Sequence, residues 1–276
     1  MPDLNWNREK WSRRENWERS GSSWSGHWGS DQAVWNWVIR PRIVGLLPAS
    51  RLLEIAPGHG RITAFLLEQC DEYLGFDLNA SCIEACRRRF PEVDPDRFRA
   101  NDGRTLTDAA DSHFDLVFSF DSLVHVDRDD LASYLSEIHR VLKPGGRAFL
   151  HHSNLGAHRT LGRVTERVTG PPMPYRIGRW LRRNVLVNGA WRSTNVDAET
   201  VARDAGAVGL TCLVQELVNW ENRRRLIDCF TLLGKPADGQ GTTPPDHPLR
   251  LVNRGFMADA YRIKNWVRGA ASLLES

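Results

Sequence analysis

A strand, a glycine turn and a helix follow one another between residues 51 and 66, and this junction constrains the fold more than any other part of the chain. Residues 51–56 form an apolar run, which predicts a strand buried in a parallel sheet. Gly58 and Gly60 permit backbone conformations and a close ligand approach that a Cβ would block. The apolar residues among 62–66 then have helical spacing. Such a turn at the carboxyl end of a strand predicts a nucleotide-like ligand in an open α/β sheet.

The turn differs from the dinucleotide-binding pattern at two positions. Thr63 stands where G-x-G-x-x-G has its third glycine, and Glu54 is an acid inside the strand. The pattern E-x-A-x-G-x-G, with an acid at the end of the next strand, instead resembles motif I of the class I S-adenosylmethionine-dependent methyltransferases. The resemblance implies that Glu54, Ala56, Gly58 and Gly60 lie against S-adenosylmethionine.

Segment 73–77 predicts the next strand, and it ends in Asp77, nineteen residues after Gly58. In the methyltransferase family the acid at this place accepts hydrogen bonds from both ribose hydroxyls of the cofactor. The resemblance therefore implies that Asp77 binds the ribose and that Leu78 lies beside it. A plainer alternative is that Asp77 only caps the helix that begins near Asn79.

Segment 98–103 resembles the third-strand motif of the same family. The resemblance implies that Asp102 receives the adenine amino group, with Asn101 and Gly103 beside the ring. Taken without the family pattern, Asp102 and Gly103 predict only an ordinary turn.

Three later segments resemble the family's fourth strand (114–121), the following helix with its glycine stop (137–146) and the fifth strand (147–152). Phe120, near the end of the fourth strand, is expected to lie against the cofactor. Together with motif I, these segments cover residues 50–154 in the family's order and spacing. Four matches in register favour the methyltransferase family over a set of unrelated turns.

The carboxyl-terminal half completes the predicted sheet. Residues 195–206 predict a helix, and the apolar runs 210–220 and 226–234 predict an antiparallel pair of strands. The resemblance to the family implies an α/β, Rossmann-like fold with a seven-stranded sheet of order 3-2-1-4-5-7-6 and helices on both faces. We place the methyltransferase domain at 41–235, followed at 236–276 by a linker and, from residue 249, a C-terminal helix.

Residues 1–40 contain seven of the eleven tryptophans, separated by arginine, glutamate, serine and glycine. The glycine- and serine-rich stretch 21–29 predicts a lid over the cofactor, with Trp28 against it. Aromatic rings also suit a sugar face or a sulfonium cation. The alternative is that these rings pack the segment onto the sheet or onto a second subunit, so a homodimer is an open possibility. The seven are Trp6, Trp11, Trp17, Trp24, Trp28, Trp35 and Trp37.

Residues 155–192 are predicted to form an acceptor cap inserted after the fifth strand, where the family places acceptor-binding elements. The segment has one acid, Glu166, and eight arginines. These charges predict either contact with a polar, oxygen-rich or anionic acceptor or simply a solvated helical face. The arginines are Arg159, Arg163, Arg167, Arg176, Arg179, Arg182, Arg183 and Arg192.

Polar side chains follow the fourth and fifth strands, opposite the glycine turn. Methyl transfer to a hydroxyl requires removal of its proton, so a base or a metal is expected here. His152 is the predicted base and His125 the reserve candidate, although either could be a hydrogen-bonded structural residue. Asp121 is predicted to act as a second base or, with Asn154, as a ligand of Mg²⁺, which prefers oxygen donors.

Residues 118–125 and 151–155 resemble a subgroup of the family that acts on sugars and secondary metabolites, including the sugar O-methyltransferase of the methylmannose polysaccharide pathway. This resemblance implies methyl transfer from S-adenosylmethionine to a hydroxyl of a small-molecule or oligosaccharide acceptor. An amino-sugar N-methyltransferase is the alternative enzyme. A cofactor-binding module without catalysis is the alternative from a different class.

Composition argues against two kinds of partner. The formal net charge of +3 does not suggest a nucleic-acid-binding protein. No segment approaches 18 consecutive apolar residues and no signal peptide opens the chain, which predicts a cytoplasmic protein without a membrane partner.

Overall fold

The computed structural model describes residues 2–189, 191–220, 224–237 and 248–274, and a mixed sheet of eight strands organises them. The strands are β1 (Ala49–Ile55), β2 (Cys70–Asp77), β3 (Phe98–Ala100), β4 (Phe114–Ser119), β5 (Leu142–Ser153), β6 (Thr211–Val218), β7 (Asp228–Gly234) and β8 (Leu249–Asn253). Their order in the sheet is β3-β2-β1-β4-β5-β7-β6-β8. The first five are parallel, β7 is antiparallel to both of its neighbours, and β8 is parallel to β6.

Helices flank the sheet and connect its strands. The α-helices are α1 (Leu4–Ser12), α2 (Asp31–Val34), α3 (Arg40–Ile43), α4 (Thr63–Leu66), α5 (Ala80–Arg89), α6 (Arg128–Val141), α7 (Arg159–Thr169), α8 (Tyr175–Asn184), α9 (Ala198–Ala207) and α10 (Phe256–Leu274). A π-helical turn, Trp35–Ile39, joins α2 to α3. The segment Arg14–His27 is 3₁₀-helical with an interruption of non-helical backbone at residues 17–21. Short 3₁₀ segments are Val44–Leu46, Leu67–Gln69, Pro95–Arg97, Leu123–His125 and Leu155–His158. Asp127 and Asp197 begin α6 and α9 because each carboxylate accepts N–H groups of the first turn.

Apolar side chains form one core on each face of the sheet. Leu52 belongs to one core and Leu53 to the other, because successive residues of a strand point to opposite faces. The first core includes residues of α2, α5 and α10, and the second includes residues of α6 and α9. The predicted α/β, Rossmann-like architecture with helices on both faces is confirmed.

The predicted strand order is correct for the first seven strands, but the count of seven is wrong. Residues 249–253 were expected to begin the C-terminal helix, and they instead form β8 along the outer edge of β6. One edge of β6 pairs with β7. Pairing with β8 satisfies the N–H and C=O groups of the other edge. Helix α10 begins only at Phe256. Most of the predicted linker, residues 238–247, lies outside the described residues.

The tryptophan-rich segment divides into two halves. In the second half, Trp28 is 2% exposed and packs edge-on against Phe256, with 5.0 Å between ring centroids. Trp35 is also buried and stacks on Phe65. The prediction that Trp28 contacts the cofactor is therefore wrong, because its ring belongs to the apolar core. The first half, residues 4–27, passes over the carboxyl ends of the strands.

Helices α7 and α8 pack against each other above a small separate core of Leu155, Val187 and Ile227. This pair lies within the predicted cap. Across the part of the chain that the structure describes, no helix combines the length and the apolar character needed to span a bilayer.

Candidate active site

A cavity of about 1510 Å³ opens at the carboxyl ends of β1, β2 and β4. Its floor consists of the segments that directly follow these strands, residues 56–58, 77–79 and 120–123. One wall comes from residues 2–27 and the opposite wall from the cap helices. This is the position at which open parallel sheets bind ligands.

The glycine turn is shaped by both its backbone and its covering. Gly58 and Gly60 have φ angles of +59° and +75°, in the left-handed region that disfavours other residues. The ring of Trp17 lies over Gly58, where an added Cβ would come within 2.7 Å of it. The same ring stacks on His59, with 4.3 Å between centroids. The N-terminal segment therefore covers the turn, and a side chain at Gly58 would displace it.

Asp77 lies at the end of β2 with its carboxylate against the glycine turn. One oxygen accepts the N–H of Gly58 at 3.0 Å and the other accepts that of Asn79 at 2.9 Å. Burial raises the pKa of Asp77 to about 6, in spite of these two hydrogen bonds. The carboxylate lines the cavity and can accept further hydrogen bonds from hydroxyl donors. Leu78 and Ala56 line the cavity beside it.

Glu54 is a second buried acid on the cavity floor. Its Oε2 accepts hydrogen bonds from the hydroxyls of Thr63 and Tyr73, both at 2.7 Å. Burial is the largest effect on this carboxyl and raises its pKa to about 7. Burial therefore destabilises the ionised form, and a cationic ligand beside the carboxyl would favour it.

Replacing Glu54 by Gln should raise the free energy of unfolding at pH 8 by up to about 3 kcal/mol, the energy equivalent of this pKa shift. The pKa is raised from 4.5 in its ordinary state to about 7 in the fold. The stabilising contribution of Glu54 is thus complete below pH 4.5 and lost as the pH rises through 7. Urea unfolding at pH 8 and pH 5 checks this, and the gain should be much smaller at pH 5. Exposed Glu68→Gln is the control, and a pH-independent gain would contradict the argument.

The structure contradicts two of the predicted adenine contacts. Asp102 is exposed, and its Oδ1 accepts the N–H groups of Arg104 and Thr105 at 2.8 and 2.7 Å. The side-chain oxygen of Asn101 accepts the N–H of Gly103, and its amide donates to the carbonyl of Thr105. Both side chains are used to hold the loop, and neither lines the cavity. Gly103 does line it.

Asp121 forms an ion pair with Arg61 inside the cavity. Arg61 Nη2 lies 3.0 Å from Asp121 Oδ2, and its Nη1 donates to the hydroxyl of Ser25 at 2.8 Å. The N–H of Asp121 donates to Nδ1 of His151 at 3.1 Å. Asp121 has a φ angle of +61°, which is strained for a residue with a Cβ and is held by these contacts. Phe120, just before it, also lines the cavity.

His125 is the histidine of the predicted set that reaches the cavity. Its Nδ1 donates to the carbonyl of Trp191 at 2.9 Å, since a carbonyl can only accept. In the described chain the other ring nitrogen, Nε2, has no hydrogen-bond partner and is not fully buried. Burial lowers the pKa of His125 to about 4, more than the carboxylates of Asp121 and Asp228 raise it. The ring is therefore neutral at pH 7, with a lone pair on Nε2.

The structure contradicts the predicted roles of His152 and Asn154. His152 is fully buried, with Nε2 2.7 Å from the hydroxyl of Thr231 and Nδ1 bonded to a backbone carbonyl. The amide of Asn154 donates to Leu226, and its oxygen accepts the N–H of Ala198. Neither side chain lines the cavity, so Asn154 does not join Asp121 as an Mg²⁺ ligand. Within the described ranges, no three acidic, histidine or cysteine side chains form a metal-binding group.

Four tryptophans lie on the wall that residues 2–27 form. Trp11 lies at the centre of this group, with its ring centroid 5.9 Å from Trp17, 5.6 Å from Trp24 and 5.0 Å from His125. Trp191 extends the group from the cap side, 6.4 Å from Trp6. The sequence indicated aromatic rings near a ligand but selected Trp28, whereas the tryptophans that line the cavity are Trp6, Trp11, Trp17, Trp24, Trp191 and Trp220.

The cap contributes arginines to the cavity. One of them, Arg192, is structural, because its guanidinium makes a two-point ion pair with Asp228, at 2.5 and 2.7 Å, and both residues are buried. This pair lowers the pKa of Asp228 to about 2 against the effect of burial. The arginines that line the cavity from α7 and α8 are exposed: Arg159, Arg163, Arg179 and Arg182. The sequence missed Arg61 as a site residue, although its position directly after the glycine turn is a usable signal.

Comparison with known proteins agrees with this geometry. Residues 53–150 match a family model described as a methyltransferase domain. The fold is shared with an S-adenosylmethionine-dependent methyltransferase of Methanosarcina mazei, at a TM-score of 0.51 and 18% identity, covering 72% of this chain and 98% of that one. Residues 53–150 therefore match a methyltransferase domain, and the described chain shares its fold with this S-adenosylmethionine-dependent methyltransferase.

Two curated relatives share part of the sequence. A demethylmenaquinone methyltransferase of Renibacterium salmoninarum is 31% identical over 121 residues, which is 43% of this chain and 48% of that protein. A fatty-acid O-methyltransferase of Mycolicibacterium smegmatis is 36% identical over 98 residues, which is 35% of this chain and 34% of that protein. The chain thus spans less than half the length of either relative.

Proposed function

We propose that this protein is an S-adenosylmethionine-dependent methyltransferase that methylates a hydroxyl of a saccharide. The observation that carries the proposal is that one continuous cavity contains two kinds of lining. The glycine turn with Asp77 suits the cofactor, and the tryptophan wall with His125 suits a sugar. The volume of about 1510 Å³ exceeds the usual size of a site for one small ligand, which supports room for both.

The residues of the floor fit the cofactor. Asp77 would accept hydrogen bonds from the ribose hydroxyls, and Gly58 allows the close approach of the backbone. The pKa of Glu54 is raised to about 7, so a nearby cation would stabilise its ionised form. S-adenosylmethionine carries two cationic groups, an ammonium and a sulfonium. S-adenosylmethionine, when bound, supplies an electrophilic methyl group to an oxygen held opposite it.

The tryptophans and the cap arginines that line the cavity favour a sugar acceptor over the alternatives. Tryptophan faces stack on the apolar faces of sugar rings, and arginines donate hydrogen bonds to hydroxyl oxygens. The same arginines oppose the approach of an ammonium group, which disfavours the amino-sugar alternative. The relatives named for fatty-acid and demethylmenaquinone methylation make an amphiphilic acceptor the second class to test.

His125 is the base that fits the cavity. The bond from its Nδ1 to the Trp191 carbonyl fixes the tautomer and orients Nε2, which is free to take a proton from an acceptor hydroxyl. The negative charge of Asp121 favours the imidazolium that forms, as its effect on the pKa of His125 indicates. Arg61 holds Asp121 in place for this role. If a metal is needed instead, Asp121→Asn should remove both the activity and its response to Mg²⁺.

Asp77→Asn should remove most of the rise in melting temperature that S-adenosylhomocysteine causes in the wild-type protein, because stabilisation of the folded state grows with the logarithm of the ligand concentration relative to its dissociation constant, and weaker binding lowers that ratio. Asp102→Asn is the matched control, because its exposed carboxylate does not line the cavity. It should keep most of the shift. Equal losses in both variants would contradict the assignment of Asp77 to the ribose.

The acceptor is tested by a methyl-transfer screen with labelled S-adenosylmethionine against mono- and oligosaccharides, amino sugars and fatty acids, with and without a chelator. Transfer to a neutral saccharide supports the proposal. Transfer restricted to amines or to fatty acids overturns the saccharide class while leaving the methyltransferase assignment. A protein that binds the cofactor and transfers to none of these classes would favour the binding-module alternative.

A further inference from the structure

The two cap helices have their amphipathic faces reversed relative to ordinary globular helices. In α7, Arg159, Arg163 and Glu166 recur at helical spacing and line the cavity. Val164 and Val168 lie on the opposite side of the helix and are 43% and 46% exposed. A helix at the surface of a globular protein normally turns its apolar stripe inward.

Helix α8 repeats the arrangement. Tyr175, Arg179 and Arg182 share the side that faces the cavity, since they are spaced by four and three residues. Ile177 and Trp180 lie on the other side and are 51% and 58% exposed. The α7–α8 hairpin therefore presents four large apolar side chains outward, and an exposed apolar face of this kind marks an interaction surface.

The charges beside this face are all positive. Arg167 follows Val164 by three residues and Arg163 by four, so it lies between the apolar and the cavity-facing sides of α7. Arg176 has the corresponding place in α8. Both are exposed, and no acid within the described ranges forms an ion pair with either. Glu166 is the single acid among residues 155–192.

The side chains on the outer face of the α7–α8 hairpin favour one kind of binding partner, an anionic bilayer. Tryptophan and aliphatic side chains on one side, with arginines at the margins, are typical of helices that lie in the headgroup region of an anionic bilayer. A second copy of this chain, docked symmetrically, would place the same arginines against each other. The expectation of no membrane partner came from the lack of an 18-residue apolar run, and that criterion has no bearing on helices that lie on a bilayer.

We infer that the α7–α8 hairpin docks this protein on an anionic lipid surface. Val164, Val168, Ile177 and Trp180 enter the headgroup region, and Arg167 and Arg176 meet the lipid phosphates. The inner sides of the same helices line the acceptor cavity, so docking places that cavity beside the bilayer. An acceptor presented from a membrane would then reach the site without crossing bulk water.

The test is co-sedimentation of the full chain with vesicles of phosphatidylcholine containing phosphatidylglycerol, compared with phosphatidylcholine alone. The wild type should bind the anionic vesicles and dissociate as salt is added. Arg167→Ser with Arg176→Ser should weaken binding about 30-fold, at about 1 kcal/mol for each arginine. Trp180→Glu should weaken it at least about tenfold.

The chain offers a matched control in Trp37, which is 53% exposed on the N-terminal helices, outside the cap. Trp37→Glu should bind the vesicles like the wild type, and circular dichroism establishes that each variant is folded. Three results would overturn the inference: a folded wild type that does not sediment with anionic vesicles, equal loss in both tryptophan variants, or a dimer in the absence of lipid that Trp180→Glu dissociates. Methyl transfer is not measured here, so the outcome is independent of the proposed function.

Discussion

His125→Asn should lower kcat for methyl transfer by roughly 10²- to 10⁴-fold, the range associated with loss of a general base. The asparagine amide can still donate to the Trp191 carbonyl, as Nδ1 of His125 does at 2.9 Å, so the local fold is retained. What the variant lacks is the Nε2 lone pair inside the cavity. Cofactor affinity, read from the melting shift with S-adenosylhomocysteine, should stay near that of the wild type.

The pH profile separates catalysis from a structural effect. Because burial lowers the pKa of His125 to about 4, the wild-type rate should stay level down to pH 6, where a free imidazole would already be largely protonated. It should fall only as the pH approaches the folded pKa. His152→Gln is the comparison, since its ring bonds Thr231 away from the cavity, and it should alter stability while kcat changes little. Normal turnover in His125→Asn would contradict the proposed role of the His125 imidazole as the general base.

Arg192→Met should reduce the free energy of unfolding by about 3–5 kcal/mol, the usual effect of removing one partner of a buried ion pair. The guanidinium contacts both oxygens of Asp228, and these residues are 5% and 0% exposed. Methionine replaces the length of the side chain but removes the guanidinium, which leaves the buried carboxylate with only His151 Nε2 beside it, at 3.3 Å. Urea unfolding at pH 7 measures the loss.

The pH dependence of this loss gives a second measurement. In the wild type the pKa of Asp228 is lowered from 3.8 to about 2, so its stabilising contribution is present above pH 3.8 and lost as the pH falls towards 2. In Arg192→Met the pKa should rise instead, because burial raises it and only His151 then remains to lower it. The difference between the proteins should therefore shrink between pH 7 and pH 4. Exposed Arg163→Met, the control, should change stability by less than about 0.5 kcal/mol.

Local pattern was sufficient for the elements near the glycine turn. The strand ending in Asp77 followed from residues that are neighbours in sequence, whereas the order of the first seven strands followed from the resemblance to the methyltransferase family. Parallel strands joined by helices have few allowed arrangements, which is consistent with an order shared across a family. The eighth strand was not predictable in this way, because it depends on the open edge of β6, more than thirty residues earlier in the chain.

The histidines show the limit of sequence reasoning at the site. His151 and His152 are adjacent in β5, and a strand turns successive side chains to opposite faces. His151 receives the N–H of Asp121, whereas His152 is bonded to Thr231. Which histidine faces which group depends on register with β4 and β7, and a shift by one residue would exchange them.

By itself, the sequence determined the glycine turn, the acid that follows the second strand and the class of fold, because these depend on backbone conformation and on spacing along the chain. Only the tertiary structure decided which side chains meet. It buried Trp28 in the core, brought Trp11 and Trp191 to the cavity and joined Arg61 to Asp121 across sixty residues. Such contacts arise from the packing of distant segments, which no local pattern records.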